Sequence, residues 1–160
     1  MTDKFNVVAT GGTFDEIHIG HLALLSKAFA IGKRVIIGVS SDEFADTVKG
    51  IGKIIHTYEQ RVTNLRLVIQ ANFGDVTYEI TKLNTTYGPI VISSEVNALV
   101  VSSETAKKGS EINEIRCDNG IKPLVIVIVD MIKAEDGARI SSSRIRTGQI
   151  DRQGKLLKGE

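Results

Sequence analysis

Two short stretches hold most of the side chains that could handle phosphate. The first, near the N-terminus, is Thr10-Gly11-Gly12-Thr13-Phe14-Asp15-Glu16-Ile17-His18-Ile19-Gly20-His21. Gly11 and Gly12 suit a turn with φ > 0 and let the backbone come close to a ligand. Thr13 offers a hydroxyl to a phosphate oxygen. His18 and His21 are three apart, which on a helix puts both imidazoles on one face. From there they can donate hydrogen bonds to phosphate oxygens, and Gly20 between them leaves room for a base or ribose. The second stretch is Ile140-Ser141-Ser142-Ser143-Arg144-Ile145-Arg146. Three hydroxyls and two guanidinium groups at a helix start suit a polyphosphate, although a serine N-cap on a surface helix would use the same residues.

The elements around these stretches must place them. An apolar run, Phe5 to Ala9, precedes the first motif, and an amphipathic run, Leu22 to Phe29, follows it. The order strand, glycine turn, helix aims backbone N–H groups and the positive end of a helix dipole at one spot. Further on, strands are expected at Arg34–Val39, Val76–Ile80, Ala98–Ser102 and Leu124–Val129. Helices are expected from Asp42 to about Val48, from Thr57 or Tyr58 to about Asn72, and from Glu104 to Arg116, the last closed by Asn119-Gly120. A turn at Glu135–Gly137 and a short helix opening at Ser141 complete the pattern. Alternation of this kind predicts an α/β fold: a Rossmann-like, doubly wound five-stranded parallel sheet with helices on both faces. Residues 1–150 read as a single domain and 151–160 as a polar C-terminal tail. In such sheets ligands lie beyond the carboxyl ends of the strands, which is where the first motif falls.

Composition narrows the classes. The chain has 160 residues, 42% hydrophobic and 24% charged, with a net charge of +1. That fits one globular domain and supplies no global field for nucleic acid or an anionic membrane. A single cysteine, Cys117, allows no intramolecular disulfide. With no apolar run long enough for a membrane span and no signal peptide, the expectation is a cytoplasmic protein.

The whole pattern Gly-Gly-Thr-Phe-Asp-x-x-His-x-Gly-His resembles the opening signature of the nucleotidyltransferase superfamily, and Ile-Ser-Ser-Ser-x-x-Arg resembles its closing signature. Val100-Val101-Ser102-Ser103-Glu104-Thr105 with Asn113-x-x-Arg116 is similar to the archaeal and eukaryotic type of phosphopantetheine adenylyltransferases. The resemblance implies transfer of AMP from ATP, with Mg²⁺, to 4′-phosphopantetheine, giving dephospho-CoA and pyrophosphate. It implies His18 and His21 on the β- and γ-phosphates, Thr13 and Lys49 orienting the incoming phosphate, and Ser142, Ser143 and Arg146 on the departing pyrophosphate. Catalytic residues are thus expected at His18, His21, Lys49 and Arg146. Nucleotide or substrate contacts are expected at Gly11, Gly12, Thr13, Phe14, Gly20, Arg61, Ser102, Glu104, Asn113, Arg116, Ser141, Ser142 and Ser143.

Plainer roles exist for several of these. Lys49, with Lys53 as its competitor, can be a solvated lysine, Arg61 an exposed helix arginine, and 104–116 an N-capped amphipathic helix. His18, His21 and Asp15 could hold zinc instead; His56 reads as a surface residue. A cytidylyltransferase or FAD-synthetase-like enzyme, or a nucleotide sensor without turnover, are the rival functions. The sequence is silent on oligomeric state.

Overall fold

The computed structural model describes residues 4–50, 54–85, 88–91, 93–103, 105–130 and 155, with backbone alone at 48, 49, 89 and 91. Within them the chain runs β1 (Phe5–Gly12), α1 (Ile19–Ile31), β2 (Gly32–Ser40), α2 (Asp42–Lys49), α3 (Tyr58–Phe73), β3 (Tyr78–Leu83), a 3₁₀ turn (Gly88–Val91), β4 (Ala98–Ser102), α4 (Ala106–Asp118) and β5 (Val125–Val129). The turn and helix expected at 135–146, and the tail, fall outside the described residues apart from Lys155.

The five strands form one parallel sheet in the order β3-β2-β1-β4-β5. Its strand order reverses between β1 and β4, so β1 is central and its carboxyl end opens at the crevice between the two halves. Alternation along β1 feeds two cores. Val8 packs with Leu25, Val35, Ile37, Leu65 and Ile69 on the face covered by α1 and α3. Val7 and Ala9 pack with Leu99, Val101 and Ile112 on the face covered by α4. Period-2 side-chain geometry makes this split unavoidable for a strand covered on both sides.

The helix ends are set by side chains visible in the sequence. Ser41 caps α2 by accepting the Phe44 N–H, and Thr57 caps α3 in a reciprocal pair with Gln60. At the end of α4, Gly120 takes φ 72°. There Ile121 N–H donates to the Arg116 carbonyl and Gly120 N–H to the Cys117 carbonyl, the two bonds of a Schellman stop. β3 starts and ends later than expected, at Tyr78–Leu83, because its ladder with β2 runs on to Ser40↔Leu83. β5, the most apolar run, is an edge strand with Val125 and Ile128 half exposed.

Candidate active site

The first motif crosses from β1 to α1 at the reversal point. The glycines do not turn there. Gly11 and Gly12 are the last residues of β1, and the residue with φ > 0 is Phe14, at 55°. Gly11 is needed for proximity instead: a Cβ on it would sit 3.0 Å from the Gly38 carbonyl oxygen of the neighbouring strand. Phe14 is 1% exposed and belongs to the core. It therefore offers no surface to a nucleotide; its ring stands 5.0 Å from that of His21 and props it.

The two histidines meet, though not as two residues of one helix. α1 begins at Ile19, and His18 is its extended N-cap. Its Nδ1 accepts the Gly20 N–H at 3.1 Å, while His21 Nδ1 accepts the His18 N–H at 3.2 Å. The rings stack with centroids 4.0 Å apart. An Nδ1 that accepts carries no proton, so each neutral ring bears its N–H at Nε2. Gly20 is explained by this fold-back. A Cβ there would lie 2.8 Å from His18 Cε1, so the space left by glycine is filled by the His18 ring and not by a base or ribose.

Arg61 is the residue whose place sequence reading misjudged most. It is 1% exposed. Nε donates to the His56 carbonyl at 3.1 Å, Nη1 to the carbonyls of Thr13 at 2.7 Å and Ser40 at 2.9 Å, and Nη2 to Asp42 Oδ1 at 2.9 Å. Four of its five N–H groups are thus committed to the chain, and the fork that could grip a phosphate is used up. The side chain ties the Thr13 turn, the end of β2, the first turn of α2 and the entry to α3 into one frame. Asp15 works beside it. Its carboxylate, 1% exposed, accepts the N–H groups of Ile55 and His56 and lies 3.1 Å from His56 Nδ1. His56 is therefore a partner of the motif and only partly a surface residue. The zinc alternative loses its third ligand by the same contacts, and among the described residues no group of three or more His, Cys, Asp or Glu could hold a metal.

Ser102 ends β4 at this same end of the sheet, its hydroxyl 3.1 Å from Thr105 Oγ1. Lys49 is the last residue of α2, with its side chain outside the described residues. Lys53, Glu104, Ser141, Ser142, Ser143 and Arg146 also lie outside them. Asn113 and Arg116 are placed elsewhere. α4 runs antiparallel to the strands, so its second half returns to their amino ends. Asn113 exchanges two hydrogen bonds with the backbone of Leu124, just before β5. Arg116 donates to the carbonyls of Ile90, Ser93 and Lys122. β4 and β5, five residues and about 15 Å long each, run from this end towards the histidines, so the bonds seen for Asn113 and Arg116 are bonds to the scaffold at the amino end of the sheet.

Comparison with known proteins agrees with this geometry. Residues 9–148 match the cytidylyltransferase-like family. The chain is 44% identical to a phosphopantetheine adenylyltransferase of Methanothermobacter thermautotrophicus, over 99% of this chain and 93% of that protein. It is 43% identical to one from Thermococcus kodakarensis, over 98% and 94%. The chain belongs to this family of nucleotidyltransferases. Among solved structures it resembles a protein of unknown function from Archaeoglobus fulgidus, with a TM-score of 0.70 and 30% identity over 84% of this chain and 98% of that one. In this chain the stacked histidine pair and the Thr13 turn, which Arg61 ties to the first turn of α2, lie where β1 gives way to α1.

Proposed function

We propose that this site transfers AMP from ATP to 4′-phosphopantetheine, releasing pyrophosphate and leaving dephospho-CoA. The observation that carries the reading is the stacked pair of Nε2-protonated imidazoles at the start of α1, on the ligand side of the sheet, in a chain over 40% identical to relatives named for this reaction. The nucleophile is a phosphate monoester, already ionised near neutral pH, so no general base is required. Catalysis then rests on holding two phosphates in line and meeting the charge that develops at the α-phosphorus.

In this reading His18 and His21 donate through Nε2 to the triphosphate, reinforced by the positive end of α1. Thr13 and Lys49 orient the incoming phosphate. Ser142, Ser143 and Arg146 take the departing pyrophosphate, with Gly11, Gly12, Ser102, Glu104 and Ser141 as lining. Arg61 supports Thr13 through its carbonyl. A divalent cation, Mg²⁺ in our proposal, accompanies the nucleotide and neutralises charge on its phosphate oxygens. The donor chemistry of the site fits an ion carried by the triphosphate, because Asp15 and both Nδ1 atoms are already engaged. We place the enzyme in the cytoplasm, in keeping with its lone cysteine; among the described residues no helix is long and apolar enough to cross a membrane.

Pyrophosphate release tests this directly: ATP and Mg²⁺ with and without 4′-phosphopantetheine, beside CTP with glycerol 3-phosphate. Release that depends on phosphopantetheine is expected, and it should fall about 100-fold or more in His21→Ala, the usual loss for one preorganised donor. Release only with another acceptor would overturn the substrate, and ATP binding without any release would leave a sensor.

A further inference from the structure

The amino end of the sheet, opposite the histidines, has a half-open cavity with basic side chains in its lining. The cavity, of about 320 Å³, lies between the starts of β1, β4 and β5. Its size is within the range of small-molecule sites. Lys4, Arg116 and Lys122 line it, and among the described residues no Asp or Glu does. Phe5, Val96 and Val125 supply apolar wall.

Arg116 is the unusual member. It is 1% exposed, and its Nε and Nη1 are spent on three backbone carbonyls. Nη2 makes none of these bonds. Every fully buried side-chain nitrogen or oxygen among the described residues has a hydrogen-bond partner, so Nη2 is the edge of the guanidinium that reaches the cavity. No described carboxylate is within ion-pair distance of it; the acids with such partners serve Arg34, His56 and Arg61. Burial accordingly draws the Arg116 pKa below its ordinary value, with nearby Cys117 opposing this. A desolvated cation with a donor to spare and no carboxylate partner among the described residues is costly unless an anion completes it. Asn97 adds a donor. Its Oδ1 accepts the Val7 N–H at 3.0 Å, which leaves its Nδ2 for the cavity it lines.

We propose that this cavity is an anion site separate from the catalytic end, taking the phosphate of a small phosphate monoester whose apolar body lies on Phe5, Val96 and Val125. Three positive groups with no acid beside them among the described residues favour a dianion over a carboxylate.

The test is a residue-resolved ¹H–¹⁵N NMR titration of the full-length protein with phenyl phosphate, inorganic phosphate and benzoate. Phenyl phosphate should move the Arg116 Nε–H and the Asn97 and Lys122 amides saturably. It should bind at least fivefold more tightly than either other probe. Arg116→Ala risks the fold, since it strips three carbonyls, so the variant is Lys4→Glu/Lys122→Glu, whose side chains are exposed. It should weaken binding at least tenfold and leave the Arg116 bonds intact. The inference is overturned by shifts confined to the His18 and His21 end, by equal affinity in the double variant, or by benzoate or inorganic phosphate binding as tightly as phenyl phosphate.

Discussion

Replacing Arg61 by leucine should cost about 3–5 kcal/mol of folding stability. Three of its bonds end on backbone carbonyls of Thr13, Ser40 and His56, at 2.7–3.1 Å, and the arginine side chain is fully buried. Charged donors contribute about 1.5 kcal/mol or more each, and a buried acceptor left without its donor loses about 1–3 kcal/mol. Water entering the vacated space returns part of this. The ion pair with Asp42 adds less than about 1 kcal/mol, because the Asp42 side chain is 51% exposed and solvent screens it. Urea unfolding reads the difference: with a slope of about 2 kcal/mol/M, the midpoint should fall by roughly 1.5–2.5 M, whereas Asp42→Asn should shift it by under about 0.5 M. A loss below about 1 kcal/mol in Arg61→Leu, or an equal loss in the two variants, would refute the view that Arg61 holds the site together through backbone carbonyls.

Gly20→Ala separates stability from activity. The added methyl gains helix propensity but meets His18 Cε1 at 2.8 Å, so the melting temperature should stay within a few degrees while pyrophosphate release drops about tenfold. Asn113→Ala should do the reverse, losing about 1–2 kcal/mol in urea from its two bonds to Leu124 and leaving the KM for ATP unchanged. A raised KM would return Asn113 to the nucleotide site. His18→Ala should lower both folding stability and pyrophosphate release, since the same ring caps α1 and stacks on His21.

Features settled within a few residues were legible in the sequence. The caps Ser41 and Thr57, the stop at Asn119-Gly120 and the strand cores follow from local side-chain chemistry and periodicity, and the alternation of elements already implied a parallel sheet. The resemblance of both signatures pointed to the family that the full-length relatives show. What failed depended on neighbours in space. Gly11 looked like a turn residue and is a strand residue pressed against Gly38. Arg61 looked like an exposed or ligand-binding residue because nothing local reveals that Thr13, Ser40 and His56 converge on it. Arg116 was assigned to the catalytic end although its helix, starting there, must carry it to the other. His56 gave no signal at all; only the close approach of Asp15, forty-one residues earlier, gives it a role.

The join between β1 and β4 has a bearing on how the molecule comes into being. β1 is zipped to β2 from Phe5 to Gly12, a pairing the chain can make early, with only α1 to cross. Its pairing with β4 spans just Val8 and Ala9, and the Thr10 hydroxyl beside it reaches the Val100 carbonyl at 3.0 Å across ninety residues of chain. Closing so long a loop is entropically slow compared with local pairing. The core beneath α1 nevertheless draws on both halves, since Ala98 and Val100 of β4 pack with Leu25 and Ala28. The crevice at the carboxyl end of β1 therefore exists only once residues ninety positions apart have been brought together, and the slow non-local join rather than the local pairing of β1 with β2 sets when the site is whole.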